Sequence, residues 1–168
     1  MKKGCDWKWG PVIGGAGVAS FVLTWSLGWH ERGLGMLQVS STLPILIHFV
    51  GYVLALGALF RREPETRFGE GVKEGGLVAA GVGVVAALGQ ALYLKFLDPG
   101  WTDRLADLVR ARYAEAGFAG ESLEEIVEGA RSTYGFASSV IQAGIGGLLL
   151  GIVFSALIVA VLRFRSSR

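Results

Sequence analysis

The sequence predicts an all-α membrane protein with four transmembrane helices and an extracytoplasmic amphipathic helical hairpin between the third and fourth. Three observations predict it. Four mainly apolar runs are long enough to cross about 30 Å of hydrocarbon as helices rising 1.5 Å per residue. The Lys and Arg residues gather in alternate connections, and the one long connection, 98–135, is charged and has helical periodicity. Composition agrees: 52% hydrophobic residues and a mean hydropathy of +0.49 are too apolar for an ordinary soluble chain of 168 residues. The 26 glycines are about twice the usual share, as suits helices in lipid that associate through small residues.

The first run, Gly10 to Trp29, is uncharged throughout and reads as an uncleaved span, since no short apolar core with a small-residue cleavage site is evident. "KKGC" ends like a lipoprotein cleavage site, but no apolar run precedes it, so lipidation at Cys5 is set aside. A single cysteine also excludes an internal disulfide. The second run is Met36 to Phe60, where Pro44 leaves the start open: residues up to Thr42 read either as helix or as an interfacial lead-in with Pro44 in the first turn. The third, Gly75 to Leu97, is charged only at Lys95, which can snorkel to the surface. Asp98 marks where it leaves lipid, and Pro99-Gly100 ends it. The fourth is Phe136 to Leu162. The whole chain, 1–168, reads as one integral membrane domain.

Orientation follows from the basic residues. Lys2, Lys3, Lys8, Arg61, Arg62, Arg67, Lys73, Arg163, Arg165 and Arg168 put ten of the sixteen on one side, in its short segments. Both termini are therefore expected in the cytoplasm, with the long third connection outside. Trp7, Trp9, Trp25, Trp29 and Trp101 fall at span ends, as interfacial aromatics do. In the outer segment, Thr102 is placed to cap one helix and Ser122 with Glu125 to form a capping box for a second, with Ala116 to Gly120 as the turn. Eight acids against five bases from Lys95 to Gly135 repel anionic headgroups. A hairpin over the bundle mouth, or one that docks a partner, fits these features.

Small residues recur every fourth position at Gly75, Ala79, Gly83, Ala87 and Ala91 of the third helix, and at Ala143, Gly147, Gly151 and Ser155 of the fourth. Gly10 and Gly14 have the same spacing in the first. Such faces let backbones approach closely, so helices three and four are expected to meet through them, with a homodimer contact as the alternative.

Polar groups inside spans are few. His48 lies about 18 Å from the inner boundary, and Gln90 and Gln142 about 10 Å below the outer one, so the three share one depth. Tyr52 is near the helical face of His48, and Tyr93 is one turn from Gln90. The plain expectation is that these side chains hydrogen-bond to one another between helices; the functional one is an outward-facing polar cavity for a small molecule. A haem or chlorophyll ligated by His48 is a further alternative, since imidazole suits such metals, although no cofactor is predicted. Asp98, Asp103 and Asp107 read most simply as a solvated helix face. No deep charge suggests an ion-coupled pump, no nucleotide, hydrolase or metalloprotease motif is present, and the net charge of +2 points to no nucleic acid. No activity as an enzyme is expected.

"YLKFLDPGW" with "ESLEEIVEGA", the linker "LFRREPETRFGEGVKEG" and a glycine-rich last helix ending in basic residues resemble a bacterial domain-of-unknown-function family of small four-span inner-membrane proteins. The resemblance covers Gly10 to Arg165 and implies topology but no catalytic residue. Beside the lipid bilayer, the expected partners are other membrane subunits or a second copy. The leading expectation is a non-enzymatic accessory or scaffolding subunit of a larger membrane complex, the alternative a small-molecule carrier or binder, and the third a pigment- or haem-binding subunit.

Overall fold

The computed structural model describes residues 6–166; Lys2, Lys3, Cys5 and Arg168 lie outside the described residues. Within them the chain forms α1 (Trp9–Ser26), α2 (Leu34–Arg62), α3 (Phe68–Leu92), α4 (Trp101–Glu115), α5 (Gly120–Tyr134) and α6 (Phe136–Ser166). A 3₁₀ turn, Trp29–Glu31, joins α1 to α2, and a π turn, Trp-free and five residues long at Tyr93–Leu97, closes α3. Helices α1, α2, α3 and α6 make an up-down-up-down bundle. One end carries the basic α2–α3 connection and the other carries the α4–α5 hairpin.

The outside of the bundle is apolar. Leu46, Val50 and Leu54 of α2, Leu77, Val84 and Leu88 of α3, and Ile145, Leu149, Val153 and Leu157 of α6 are all exposed, at spacings of four or seven that keep each set on one helix face. Continuous apolar faces of this kind are unstable in water but are the normal surface toward lipid. This is a membrane protein. Three helices, Gly35–Arg62, Phe68–Leu97 and Phe136–Phe164, are long and apolar enough to cross a bilayer. The expectation of four spans is corrected to three by this measure, because α1 has only 18 residues and its apolar character is diluted by glycine, Ser20, Thr24 and Ser26. At 1.5 Å per residue it reaches about 27 Å. It lies instead as a companion of its neighbours, antiparallel to α2 and parallel to α3.

Several boundaries differ from the sequence expectation. α2 continues through Pro44 and has no lead-in. Proline leaves the Ser40 carbonyl without its helical donor, which helices in lipid tolerate when nearby groups compensate. Ser41 and Thr42 donate to the Leu37 and Gln38 carbonyls just before it, at 3.0 and 2.8 Å. In the hairpin, α4 is preceded by Gly100 and α5 by Ala119, so neither Thr102 nor Ser122 caps. The capping arrangement occurs at α3, where the Arg67 backbone N–H donates to Glu70 at 3.0 Å. The hairpin turn is a Schellman closure: Phe118 N–H donates to Tyr113 O and Gly117 N–H to Ala114 O, both at 3.0 Å, with Gly117 at φ 91°. Tyr113 and Phe118 pack ring to ring across it.

α3 is the central post. Its contact with α6 is the most extensive in the molecule. A Cβ added to Gly83 would lie 2.6 Å from the Gly144 carbonyl oxygen, and one on Gly147 would lie 3.2 Å from Gly83 Cα. One turn away Gly151 is against Ala79 and the Tyr52 hydroxyl, and two turns away Gly75 is against Ser155. A second face of α3 meets α1, where Gly10 and Gly81 touch backbone to backbone and Gly89 receives Val18. At the basic end the interior is solid with Tyr52, Leu56, Leu59, Val78, Val82 and Val159. There Arg163 of α6 also donates to the Thr66 carbonyl at 3.1 Å, tying α6 to the α2–α3 connection.

Gly83→Leu has backbone atoms in its way and is expected to destabilise the protein by at least the ~1–3 kcal/mol of an overpacked core. Gly76→Ala meets nothing within 4 Å and is expected to hold or raise stability, since alanine favours helix over glycine by roughly 0.5–1 kcal/mol. Thermal unfolding in detergent of the two variants checks this; equal melting would refute the close α3–α6 contact.

Candidate functional site

Toward the hairpin end the bundle is hollow. A cavity of about 490 Å³ lies between α1, α2, α3 and α6, with Trp101 of α4 and Tyr134 of α5 at its end. On α6 its wall runs from Ser139 to Leu150, about 16 Å of helix. The local sequence explains the hollow. Gly14, Gly17, Gly89, Gly146 and Gly147 contribute no side chains to it, and Pro44 breaks the hydrogen-bond ladder of the α2 wall.

The three residues expected to share a depth, His48, Gln90 and Gln142, all line this cavity, as does Tyr93. Tyr52 does not: its hydroxyl is buried below the cavity against Gly151, with no hydrogen-bond partner. The expectation that these groups hydrogen-bond to one another is corrected. Gln142 donates to the Thr133 carbonyl at 2.8 Å, while Ser138 and Ser139 donate to the Ser132 and Tyr134 carbonyls. The first turns of α6 thus satisfy carbonyls that the end of α5 leaves without helical donors. His48 has Nε2 against Gly17 and without a hydrogen-bond partner. Gln90 has no side-chain hydrogen bond among the described residues and borders the cavity. Of the small-residue set, Gly75, Ala79, Gly83, Gly147, Gly151 and Ser155 lie at the α3–α6 contact, and Ala87 faces Gly144 there.

Tyr93 belongs to a second polar group at the cavity rim that the sequence reading did not assemble. The π turn makes it: the Asp98 N–H donates to the Tyr93 carbonyl five residues back, at 2.9 Å, which turns both side chains inward. The Tyr93 hydroxyl donates to Asp98 Oδ2 at 2.8 Å, and Arg104 of α4 donates to the same oxygen. With its only hydrogen committed, the Tyr93 oxygen accepts from Nδ1–H of His30, 2.9 Å away, which assigns that tautomer. Nε2 of His30 is 3.4 Å from the Thr24 hydroxyl, whose own hydrogen goes to the Phe21 carbonyl at 2.8 Å. Phe21, Trp25 and Trp101 surround Tyr93, and Phe21 and Trp101 also pack on His30.

Thr24, His30, Tyr93 and Asp98 are all under 5% exposed. Asp98 is therefore a buried, paired carboxylate, a correction to its reading as part of a solvated face; Asp103 and Asp107 are exposed. The chain resembles a nucleophile relay in order only. Its hydroxyl end, Thr24, is sealed in and donates to backbone, so it presents no reactive oxygen to the cavity. In the fold it fastens α4 and the α1–α2 turn to the end of α3. Burial holds His30 below the ordinary histidine value of 6.5; the Asp98 carboxylate opposes that shift and Arg104 adds to it. Among the described residues no three His, Cys, Asp or Glu side chains gather as a metal site. The signal that was available is simple: His30 is one of only two histidines and Asp98 precedes Pro99 at a helix end.

The family model described as Protein of unknown function (DUF4199) matches residues 8–163. The chain belongs to this family. Neither a curated protein nor a solved structure matches it. The match spans both polar groups of this DUF4199 protein, all six helices up to Arg163 included, so cavity and rim lie within the family's domain.

Because burial disfavours charged His30 in the folded state, the unfolded chain binds more protons between the folded value and 6.5. Stability from this site is complete above that window and is lost as pH falls through it. Melting in detergent is expected to drop more between pH 7.5 and 5.5 for the natural protein than for His30→Gln; equal drops would contradict the assignment. Arg104→Gln leaves Asp98 with Tyr93 alone. Since the Arg104 side chain is 46% exposed, a loss of about 1–3 kcal/mol is expected in the same assay, below the value for a fully buried pair.

Proposed function

We propose that this protein is a non-enzymatic integral membrane protein that binds a small molecule in the cavity beneath its hairpin. The observation that carries this reading is the cavity itself: its volume falls in the range of small-molecule sites, about 300–1,000 Å³, and Gln90 stands unpaired in its wall. A hollow of that size forgoes packing that would otherwise stabilise the bundle, while the opposite end is filled. We place the protein in a bacterial inner membrane with the basic end in the cytoplasm and the acidic hairpin outside. The concentration of basic residues in the short segments of one side supports that orientation. In this arrangement α1 is held in the bilayer against α2 and α3, its hydroxyls donating to its own carbonyls.

An accessory or scaffolding role in a larger complex is the second reading. It draws support from the hairpin tip, where Tyr113 and Phe118 form an exposed aromatic pair, 39% and 44% exposed. One experiment weighs both. Native mass spectrometry of the protein extracted from its own membranes is expected to show a bound small molecule that Gly146→Leu removes. A Cβ at Gly146 meets nothing within 4 Å, so this variant projects into the cavity without displacing a helix. A spectrum without any small molecule would overturn the binding reading, and a discrete protein subunit in its place would put the accessory role first.

A further inference from the structure

The chemistry of the cavity wall narrows what it binds. None of its lining residues is Asp, Glu, Lys or Arg, although it borders four helices and the hairpin. At the rim, Asp98 and Arg104 are spent on each other. A charged group in this hollow would lose its water without gaining a counter-charge, which the low dielectric makes expensive. The polar groups present are neutral ones. Gln90 offers both a carbonyl oxygen and an NH₂, uncommitted, beside a mainly apolar wall that includes Val18, Phe21, Pro44 and Leu150 and, among neutral polar groups, Ser41.

The route of access is lateral. α2 and α6 are in contact near the basic end, where Tyr52 meets Gly151 and Phe49 and Tyr52 pack on Phe154. Nearer the hairpin, both still line the cavity, but Gly146 faces open space, and Ile45 and Leu150, which border the hollow, are also exposed on the outer surface. A molecule passing between α2 and α6 there comes from the apolar layer and not from water.

We propose that the cavity takes an uncharged, lipid-soluble amphiphile, its hydroxyl or carbonyl head at Gln90 and its apolar body between α2 and α6. This rests on the small-molecule reading above and adds the class of ligand. Gly146 leaves space for the body, and Gln90 positions the head. Trp101, at the hairpin end of the cavity, is a built-in reporter for a quinone, which quenches indole emission on contact.

The test uses the full-length protein in detergent, titrated with a decyl-substituted benzoquinone while tryptophan emission is followed. Saturable quenching is expected, and it is expected to vanish in Trp101→Phe. Binding should weaken about fivefold in Gln90→Leu, the loss of one hydrogen bond, and by about tenfold or more in Gly146→Leu. 1-Dodecanol should displace the quinone, whereas dodecanoate and dodecylammonium should not. If either ion displaces it as well as the alcohol does, with Gly146→Leu abolishing the effect, the ligand class is wrong and the binding site stands. If quenching fails to saturate, or Gly146→Leu leaves it unchanged, the cavity is no binding site for these amphiphiles and the proposal falls. Co-purification of a different, charged small molecule with the natural protein would still preserve the broader binding reading.

Discussion

The backbone contact between α3 and α6 at Gly83, Gly144 and Gly147 is the constraint on which the remainder of the architecture depends. In lipid no hydrophobic force pulls helices together, because the tails are as apolar as the side chains. Association depends on contact area, and that requires small residues where the axes approach. α3 satisfies this twice, with one face toward α6 and another toward α1 through Gly81 and Gly89. α2 completes the bundle differently, inserting Tyr52, Leu56 and Phe60 into a solid core at the basic end. The cavity follows from this asymmetry. Where α2 carries Pro44 and small polar residues in place of large core side chains, nothing fills the space between it and α6.

The hairpin end is then closed by polar chemistry. Asp98 accepts from Tyr93 and Arg104, Tyr93 accepts from His30, and these bonds bring together the end of α3, the α1–α2 turn and the start of α4. The Asp98 carboxylate, the Tyr93 hydroxyl and the His30 Nδ1–H are each paired, which helps keep a carboxylate and an imidazole tolerable beside an apolar hollow. The carbonyls at the end of α5 are satisfied by Ser138, Ser139 and Gln142 of α6 in the same economical way. Rim and cavity are continuous, since Tyr93 and Trp101 belong to both. A molecule in the cavity therefore touches the fastening of the hairpin.

What was legible of the site was its depth and not its wiring. Spacing along α2, α3 and α6 put His48, Gln90 and Gln142 at one level, because a helix converts residue number into height. Spacing did not reveal which atoms pair. Gln142 turns to the end of α5, His48 is pressed on Gly17, and Gln90 is left alone. The His30–Tyr93–Asp98 group was harder to foresee, since its members are 63 and 5 residues apart and a π turn with no distinctive sequence mark brings the last two together.

The sequence by itself determined that the chain is helical, that its long apolar runs suit a bilayer, that a charged hairpin interrupts them, and where small residues recur. These are local properties: length, apolarity, turn residues and a four-residue period act within a single segment. Tertiary structure alone decided that α1 leans on its neighbours, that one end of the bundle is solid and the other hollow, and that Asp98 is buried and not bathed in water. Those outcomes depend on how distant backbones fit against one another, and close packing between segments far apart in the chain leaves no period in any one of them to read.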